Sequence, residues 1–328
     1  MLKKIFGRRE FGLILFVVIL SVVFGSINRV FFTLNNFNNI LNSISILAFM
    51  GIGQMMVILS GGIDLSVSAT LAFSGMTVGL LVQNYPWMPP ILLILIGVIV
   101  GFVFGLINGV IVGKGKVPPI ITTLGTMAIY RGLSIVISRG TWVDAYEMTK
   151  GFKRIARGNI LGINNMTFIA GVLSILFFYF LKYTKKGREI YAYGSNHEAA
   201  DFVGINSERV NYLVFSISGA LSGLGGVLWV SRVACAECYT ATGFEMLTIA
   251  VCVLGGVSIF GGIGSVQGVL LGTLLIGIIL NGLNILGISE FWEMAIEGFI
   301  ILAAVIIDTI LLSRNEQELR KSRRIFHE

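Results

Sequence analysis

The sequence predicts an all-α polytopic membrane protein of about ten transmembrane helices with both termini cytoplasmic, and three observations carry that prediction. Apolar runs of about twenty residues, the length a helix needs to cross the hydrocarbon core, recur from one end of the chain to the other. Of 328 residues, 55% are hydrophobic and only 12% charged, against roughly 25% charged in soluble domains, and the mean hydropathy is +0.88. The basic residues gather in short loops and at the chain ends, the kind of distribution that orients a membrane protein. Little is left for a separate soluble domain, so one transmembrane domain is expected over 1–328.

The spans fall near 11–28, 40–60, 65–83, 91–113, 118–138, 166–182, 209–230, 245–261, 265–284 and 291–312. Lys3, Lys4, Arg8 and Arg9 precede the first, and no small-residue cleavage site follows it. It reads as a retained helix rather than a signal peptide. With the amino end inside, most basic residues lie on the inner face: at the start, at Lys114 and Lys116, between Lys182 and Arg209, and in the tail. One loop runs against this pattern. Arg139 to Asn165 carries five basic residues against Asp144 and Glu147, yet must be outside, where it is long enough to fold against the outer mouth. The net charge of +7 suits an anionic inner leaflet and calls for no nucleic acid.

The stretch from Lys182 to Arg209, KYTKKGREIYAYGSNHEAADFVGINSER, orients the rest. Short basic loops of this kind stay cytoplasmic. Ser195 with Glu198 three residues on fits a capping box, and Gly204 stands where a glycine ends a helix in a left-handed turn. A two-turn helix over 196–203 is therefore expected on the inner face, with Ala199 and Ala200 small enough for close contact. It is either a docking element for a cytosolic partner or a plain connector. Five spans lie on each side of it, and an odd number per half means that any structural repeat would be inverted in the membrane.

Glycine, at 41 residues, is placed with regularity. Gly97, Gly101, Gly105, Gly109 and Gly113 recur every fourth residue, as do Gly264, Gly268 and Gly272, Gly219 with Gly223, and Gly75 with Gly79. Lipid gives helices no hydrophobic reason to associate, so small residues that permit close backbone approach do that work. These are expected packing seams. Two glycine-rich breaks differ: Ser60-Gly61-Gly62-Ile63-Asp64-Leu65-Ser66, and the segment from Gly255 to Gly264. Irregular backbone at membrane depth is tolerated only where protein covers it or a wet cavity borders it. Asp64 is placed as the N-cap of the third span, or as part of a gate.

Several chemistries are excluded. Three cysteines build no disulfide framework; Cys235 and Cys238 form a lone CxxC without the four ligands zinc needs. The run from Gly109 to Gly115 is one residue short of a phosphate loop and has no Ser or Thr after Lys114. Carriers driven by protons or sodium bury ionisable groups at mid-membrane, whereas Asp64 and Asp308 lie near span ends and His197 and His327 in polar segments. Glu290, Glu293 and Glu297 share a face of the last span, beginning at its outer end. Arg131 is the other embedded charge, either snorkelling outward or facing a pathway. No catalytic constellation is visible.

Four blocks in order carry a resemblance: Ser60 to Ser66; Pro119-Ile120-Ile121-Thr122-Thr123-Leu124-Gly125-Thr126; Gly194-Ser195-Asn196-His197-Glu198-Ala199-Ala200 with Gly204-Ile205; and Gly255-Gly256-Val257-Ser258 with Gly261, Gly262 and Gly264. With these the chain resembles, nearly end to end, the permease subunits of ATP-binding-cassette importers for simple sugars. That resemblance implies about ten helices in the arrangement known from cobalamin importers, and a cell-membrane location. It implies that Gly194, Ser195, Asn196, Glu198, Ala199, Ala200, Gly204 and Ile205 couple to a separate ATPase subunit. ATP and magnesium would then sit on that partner, with no cofactor on this chain. A second permease chain and an extracytoplasmic sugar-binding protein complete the implied complex. Asp64, Ser66, Thr122, Thr123, Thr126, Arg131 and Asn281 are the candidate pathway groups. Thr126 to Trp142 looks most like the rhamnose and autoinducer-2 branch, and Gly277 to Ile288 more like ribose permeases. A secondary carrier of sugars coupled to protons or sodium is the rival reading.

Overall fold

The computed structural model describes residues 9–289 together with 291, 292, 294–296, 298, 299, 302 and 306. Most of the tenth expected span, the Glu290, Glu293 and Glu297 face, Asp308, the basic tail with His327, and the Lys3 to Arg8 cluster lie outside the described residues.

The order of elements is α1 (Arg9–Ile27), α2 (Leu34–Leu59), α3 (Val67–Asn84), α4 (Pro90–Gly113), α5 (Pro119–Ser138), α6 (Lys150–Arg157), β1 (Asn159–Ile160), β2 (Ile163–Asn164), α7 (Asn165–Tyr183), α8 (Lys185–Ser195), α9 (His197–Phe202), α10 (Ser207–Val233), α11 (Phe244–Leu254) and α12 (Val266–Ile285). Local chemistry sets the starts. Pro90 and Pro119 occupy first helical positions, where the missing N–H costs nothing. The side chains of Thr33, Asn164, Thr184, Asn206 and Ser265 accept from first-turn backbone N–H groups, as N-caps do. Among the described residues α2, α4, α5, α7, α10 and α12 are long and apolar enough to cross a membrane.

Helix α10 is the central post, packed on α4, α3 and α2. Its contact with α4 is antiparallel and built on glycine. A Cβ on Gly101 would overlap the Gly219 carbonyl, and one on Gly219 would overlap that of Gly101. Gly97 meets Val227 and Gly223, and Gly109 meets Tyr212, along the same seam. On another side of α10, Gly226 lies against the Leu71 carbonyl of α3. Gly268 and Gly272 of α12 seat in the same way on α11. The four-residue spacing therefore marks helix contacts, as expected. Helix α2 is buried from Ser45 through Leu59, which makes it the second interior rod.

The eighth span departs from expectation. In place of 245–261, α11 is only 11 residues long and ends at Leu254. Gly255 is followed by Gly256, Gly261 and Gly262 at φ of +80°, +89° and +71°, conformations that glycine alone adopts without strain. The helix thus ends seven residues short of the 261 expected for the span, at the glycine-rich break expected from Gly255, because the apolar residues of that break (Val257, Ile259, Phe260) carry hydropathy through the turn.

The long basic loop from Arg139 to Asn165 is folded. Helix α6 and the β1–β2 hairpin fill it, and Val143 and Ala236 exchange two backbone hydrogen bonds of 3.0 Å, stapling it to the segment after α10. Two of its cations are donors to carbonyls: Lys153 Nζ to Ala145 O at 2.9 Å and Arg157 Nε to Arg232 O at 2.9 Å.

The seam predicts a sharp contrast between glycines. Gly219→Val forces a side chain into the Gly101 backbone and is expected to cost at least about 1–3 kcal/mol, the usual penalty for overpacking. Gly125→Ala, where no atom lies within 4 Å, is expected to be neutral. Thermal unfolding of the purified variants in detergent checks both.

Candidate functional site

The two glycine-rich breaks, 60–66 and 255–264, are far apart in the chain and meet at one end of the bundle. Gly262 N–H donates to the Leu59 carbonyl at 3.0 Å. Gly194, in the last turn of α8, packs so closely that a Cβ there would overlap the same Leu59 oxygen and approach Gly262 N. A Cβ on Gly262 would in turn overlap Ser195. Three chain segments are thus joined backbone to backbone: the end of α2, the end of α8 and the second break.

Just beyond this junction lies a buried polar cluster centred on Asp64, which is 1% exposed. Its Oδ1 accepts from Ser66 N at 3.0 Å and Ser66 Oγ at 2.7 Å, and its Oδ2 accepts from Ser218 Oγ of α10 at 3.0 Å. Asn108 Nδ2 of α4 donates to Ser66 Oγ at 2.8 Å. Tyr130 of α5 stacks on Phe104 with centroids 3.8 Å apart and places its hydroxyl 3.2 Å from Asn108 Oδ1. Thr123 Oγ1 donates to Ile63 O at 3.0 Å. The Gln54 amide of α2, with its nitrogen turned toward the Asp64 carbonyl, brackets the Asp64 backbone at 3.1 and 3.2 Å. Four helices are tied to one break.

This arrangement corrects the N-cap expectation for Asp64. Ser66 holds the capping position of α3 and makes no side-chain capping bond. The Asp64 carboxylate is instead used in an Asx turn and in the bond to α10. Such a buried carboxylate needs its acceptors filled, and here hydroxyl and backbone donors fill them.

The other candidate groups divide. Thr122, Thr123 and Thr126 all lie on the buried face of α5, while Ile121, Leu124, Gly125, Ile129 and Val136 form its exposed face. Thr126 Oγ1 bonds Thr123 O at 3.3 Å, whereas the buried Thr122 hydroxyl has no partner among the described residues. Arg131 donates to the carbonyls of Cys238 and Thr240 at 2.9 and 3.0 Å and reaches Ser68 Oγ in the first turn of α3 at 3.5 Å, so it pins the loop after α10 to α3 rather than snorkelling free. Asn281 exchanges two amide hydrogen bonds of 2.9 Å with Asn36, locking α12 to α2. Sequence reading missed Glu245, buried in the first turn of α11 with one carboxylate oxygen unpartnered and coupled electrostatically to Arg131. The signal was present as a lone acid opening an apolar run.

Between Lys182 and Arg209 the expected helix forms, but its cap differs. Helix α8 continues through Ser195, whose hydroxyl donates back to Tyr191 O at 2.9 Å. Asn196, extended at φ −161° and ψ 107°, is the N-cap and accepts from Ala199 N at 2.9 Å, so the Ser195–Glu198 capping box is not made. Gly204 has φ +81°, and Ile205 N–H reaches back to Ala200 O at 3.0 Å, closing the helix as a left-handed glycine cap does. Gly194 and Ala200 are buried, while Asn196, Glu198 and Ala199 face outward. Also unforeseen are Phe202 and Val203, 91% and 76% exposed, two apolar side chains projecting from a polar segment.

The three cysteines are free. Cys238 is buried against Ser138 Oγ at 3.0 Å, and Cys252 lies inside α11. Burial, then the Glu237 and Asp144 carboxylates, push the Cys235 thiol above its usual 9.0.

Comparison with known proteins adds the rest. The family described as branched-chain amino acid transport system / permease component matches residues 36–305. The ribose import permease protein of Bacillus subtilis is 39% identical over 298 residues, covering 90% of each chain. The D-allose transport system permease protein of Escherichia coli is 36% identical, covering 92% of each. The autoinducer 2 import system permease protein of Salmonella typhi is 33% identical, covering 98% of this chain and 92% of its own. No solved structure matches.

Two outcomes follow from the site. Asp64→Ala strips the acceptor from Ser66 and Ser218 and is expected to lower stability by about 1–3 kcal/mol, the cost of leaving buried donors unsatisfied, read as a fall in the detergent melting temperature. A raised thiol is mostly protonated at neutral pH, and the thiolate is the reactive form. Maleimide addition to Cys235 is therefore expected to be slow at pH 7 and to rise about tenfold per pH unit toward pH 9, followed by mass spectrometry of the intact chain.

Proposed function

Because the chain belongs to the family of branched-chain amino acid transport system permease components, we propose that it is the membrane-spanning subunit of an ATP-binding-cassette importer for a monosaccharide. The family description names amino acids, but relatives covering nine-tenths of the chain are permeases for ribose, allose and autoinducer 2. Their agreement favours a sugar-like, polyhydroxylated substrate. The chain is a multi-pass inner-membrane permease and not itself an enzyme; ATP and magnesium belong to separate ATPase subunits. In this reading about ten helices, five before and five after the segment from Lys182 to Arg209, make one domain with both termini cytoplasmic.

The observation that carries the proposal is the position of α9. It stands on the end of the bundle where both breaks meet, presents Phe202 and Val203 outward, and follows closely on Gly194, which touches Leu59, the residue before the first break, and Gly262 of the second. Buried in a partner's groove, two such apolar side chains act as anchors. Displacement of α9 by a closing pair of ATPases is passed through Gly194 to both breaks without a flexible intermediate. From there the Asp64 cluster, bonded to α2, α4, α5 and α10, carries it to the helices as units. Alternating access then follows from rocking along the glycine seams.

The proposed pathway groups play two parts. Asp64, Ser66, Thr122, Thr123 and Thr126 act from behind, by setting the break and the buried face of α5. Arg131 borders the outer opening through the loop it holds, and Asn281 holds α12 in place. A second permease chain meets the exposed apolar face of α5, and an extracytoplasmic binding protein delivers the sugar.

Phe202→Asp and Gly204→Val, the latter at a backbone conformation only glycine adopts without strain, are expected to lower ATPase co-purification and ATP-driven uptake by at least about tenfold, in the range of anchor residues. Membrane insertion of both variants stays normal. Undiminished uptake in either variant, or sugar uptake into vesicles driven by a proton gradient without nucleotide, overturns the proposal.

A further inference from the structure

We propose that the groove where α7 leaves the membrane and α12 enters it binds the headgroup of an anionic phospholipid. A cavity of about 390 Å³ lies there, bounded by the cations Lys182 and Arg188, the apolar Phe178, Leu181 and Val266, and the polar Tyr191, Ser265 and Gln267. Lys182 stands in the last turn of α7 and Arg188 in the first turns of α8, so both cations sit at the bilayer boundary.

Their surroundings separate them from the neighbouring bases. Lys185 and Lys186 share the Glu189 carboxylate at 3.9 and 2.7 Å. Among the described residues neither Lys182 nor Arg188 has a carboxylate within ion-pair distance. Both are nonetheless held. Lys182 Nζ rests over the rings of Phe178 and Tyr183 at 5.2 and 5.4 Å, a cation–π placement, and Arg188 reaches the Tyr183 carbonyl at 3.4 Å. The opposite wall is the first turn of α12, whose amino end carries partial positive charge. No acidic side chain lines the groove.

The remaining wall decides the occupant. Phe178, Leu181 and Val266 make a mostly apolar surface continuous with two membrane-crossing helices. A free phosphate has no use for that surface, whereas a phosphodiester carried on acyl chains meets positive charge and apolar wall together. The occupant is therefore a lipid of the bilayer. This inference needs only that α7 and α12 cross the membrane, and it stands apart from ATP-driven import.

Native mass spectrometry of the purified full chain tests it, with phosphatidylglycerol and phosphatidylcholine offered in equal amounts. Wild type is expected to retain phosphatidylglycerol preferentially. Lys182→Gln with Arg188→Gln is expected to lower that retention about thirtyfold, the combined effect of two basic groups at an anionic surface. Lys185→Gln with Lys186→Gln leaves it unchanged. Arg188→Gln alone, an exposed position, gives a smaller loss and serves if the double variant does not fold. Equal retention by wild type and variants overturns the proposal, as does an equal loss in the Lys185 and Lys186 variant, which signals diffuse attraction. Displacement by equimolar sn-glycerol 3-phosphate would mark a free-anion site instead. Loss of ATPase association with lipid retention intact would mark a protein surface. Either result also overturns it.

Discussion

The close approach of α4 and α10 over glycine is the constraint on which the rest of the molecule depends. Within lipid, apolar side chains gain nothing by leaving their surroundings, so two helices stay together through dense contact and through polar bonds made once they are close. Gly101 and Gly219 bring the two backbones into contact, and that proximity places Asn108 within 2.8 Å of Ser66 and Ser218 within 3.0 Å of Asp64. Wider helices would leave the first break uncovered, with a carboxylate and several backbone groups unpaired at membrane depth. The seam thus precedes the polar cluster physically: packing creates a protein-lined interior, and only then is an aspartate tolerable there.

The junction at Leu59, Gly194 and Gly262 uses the same principle for a different end. Contacts made by side chains give way through rotamer changes, but backbone meeting backbone has no such slack. Helices α8 and α9 are consequently joined stiffly to both breaks, while the seams between α4 and α10, and between α11 and α12, are lined mainly by small residues, with Val227 and Tyr212 set against Gly97 and Gly113 on the first. Stiff joints beside such seams let a push at one end move helices as units.

Much of this was legible in the chain. Four-residue glycine spacing identified the seams, because period and helix geometry leave one face for them. Gly204 marked its left-handed cap, since few other residues serve there. The long basic loop was read as long enough to fold, with its charge unaccounted for. Less legible was anything requiring knowledge of which segments meet. Ser195 and Asn196 are both good caps, and only the continuation of α8 through Ser195 decides between them. Asp64 has the chemistry of an N-cap, and only the approach of Ser218 from a helix more than a hundred residues away gives its second oxygen another use. The eighth span was carried too far, to 261, because Val257, Ile259 and Phe260 keep hydropathy high through a turn, although the glycines from Gly255 marked the break itself. Phe202 and Val203 counted as ordinary apolar residues until their exposure was known.

The two faces of α5 bear on how such a subunit passes a sugar without holding it. Its threonines and Tyr130 are turned inward, with Thr123 bonded to Ile63 of the break, whereas Ile121, Leu124, Ile129 and Val136 look outward. A route along a polar face would bind each hydroxyl and slow release, while transit requires contact weak enough to leave. On the proposed reading, in which this apolar face meets a second copy, it would offer a surface of low affinity, and selection would fall to the protein that delivers the substrate. The polar groups behind that surface would then bear on when it opens rather than on what it admits, a division of labour that asks for few buried charges.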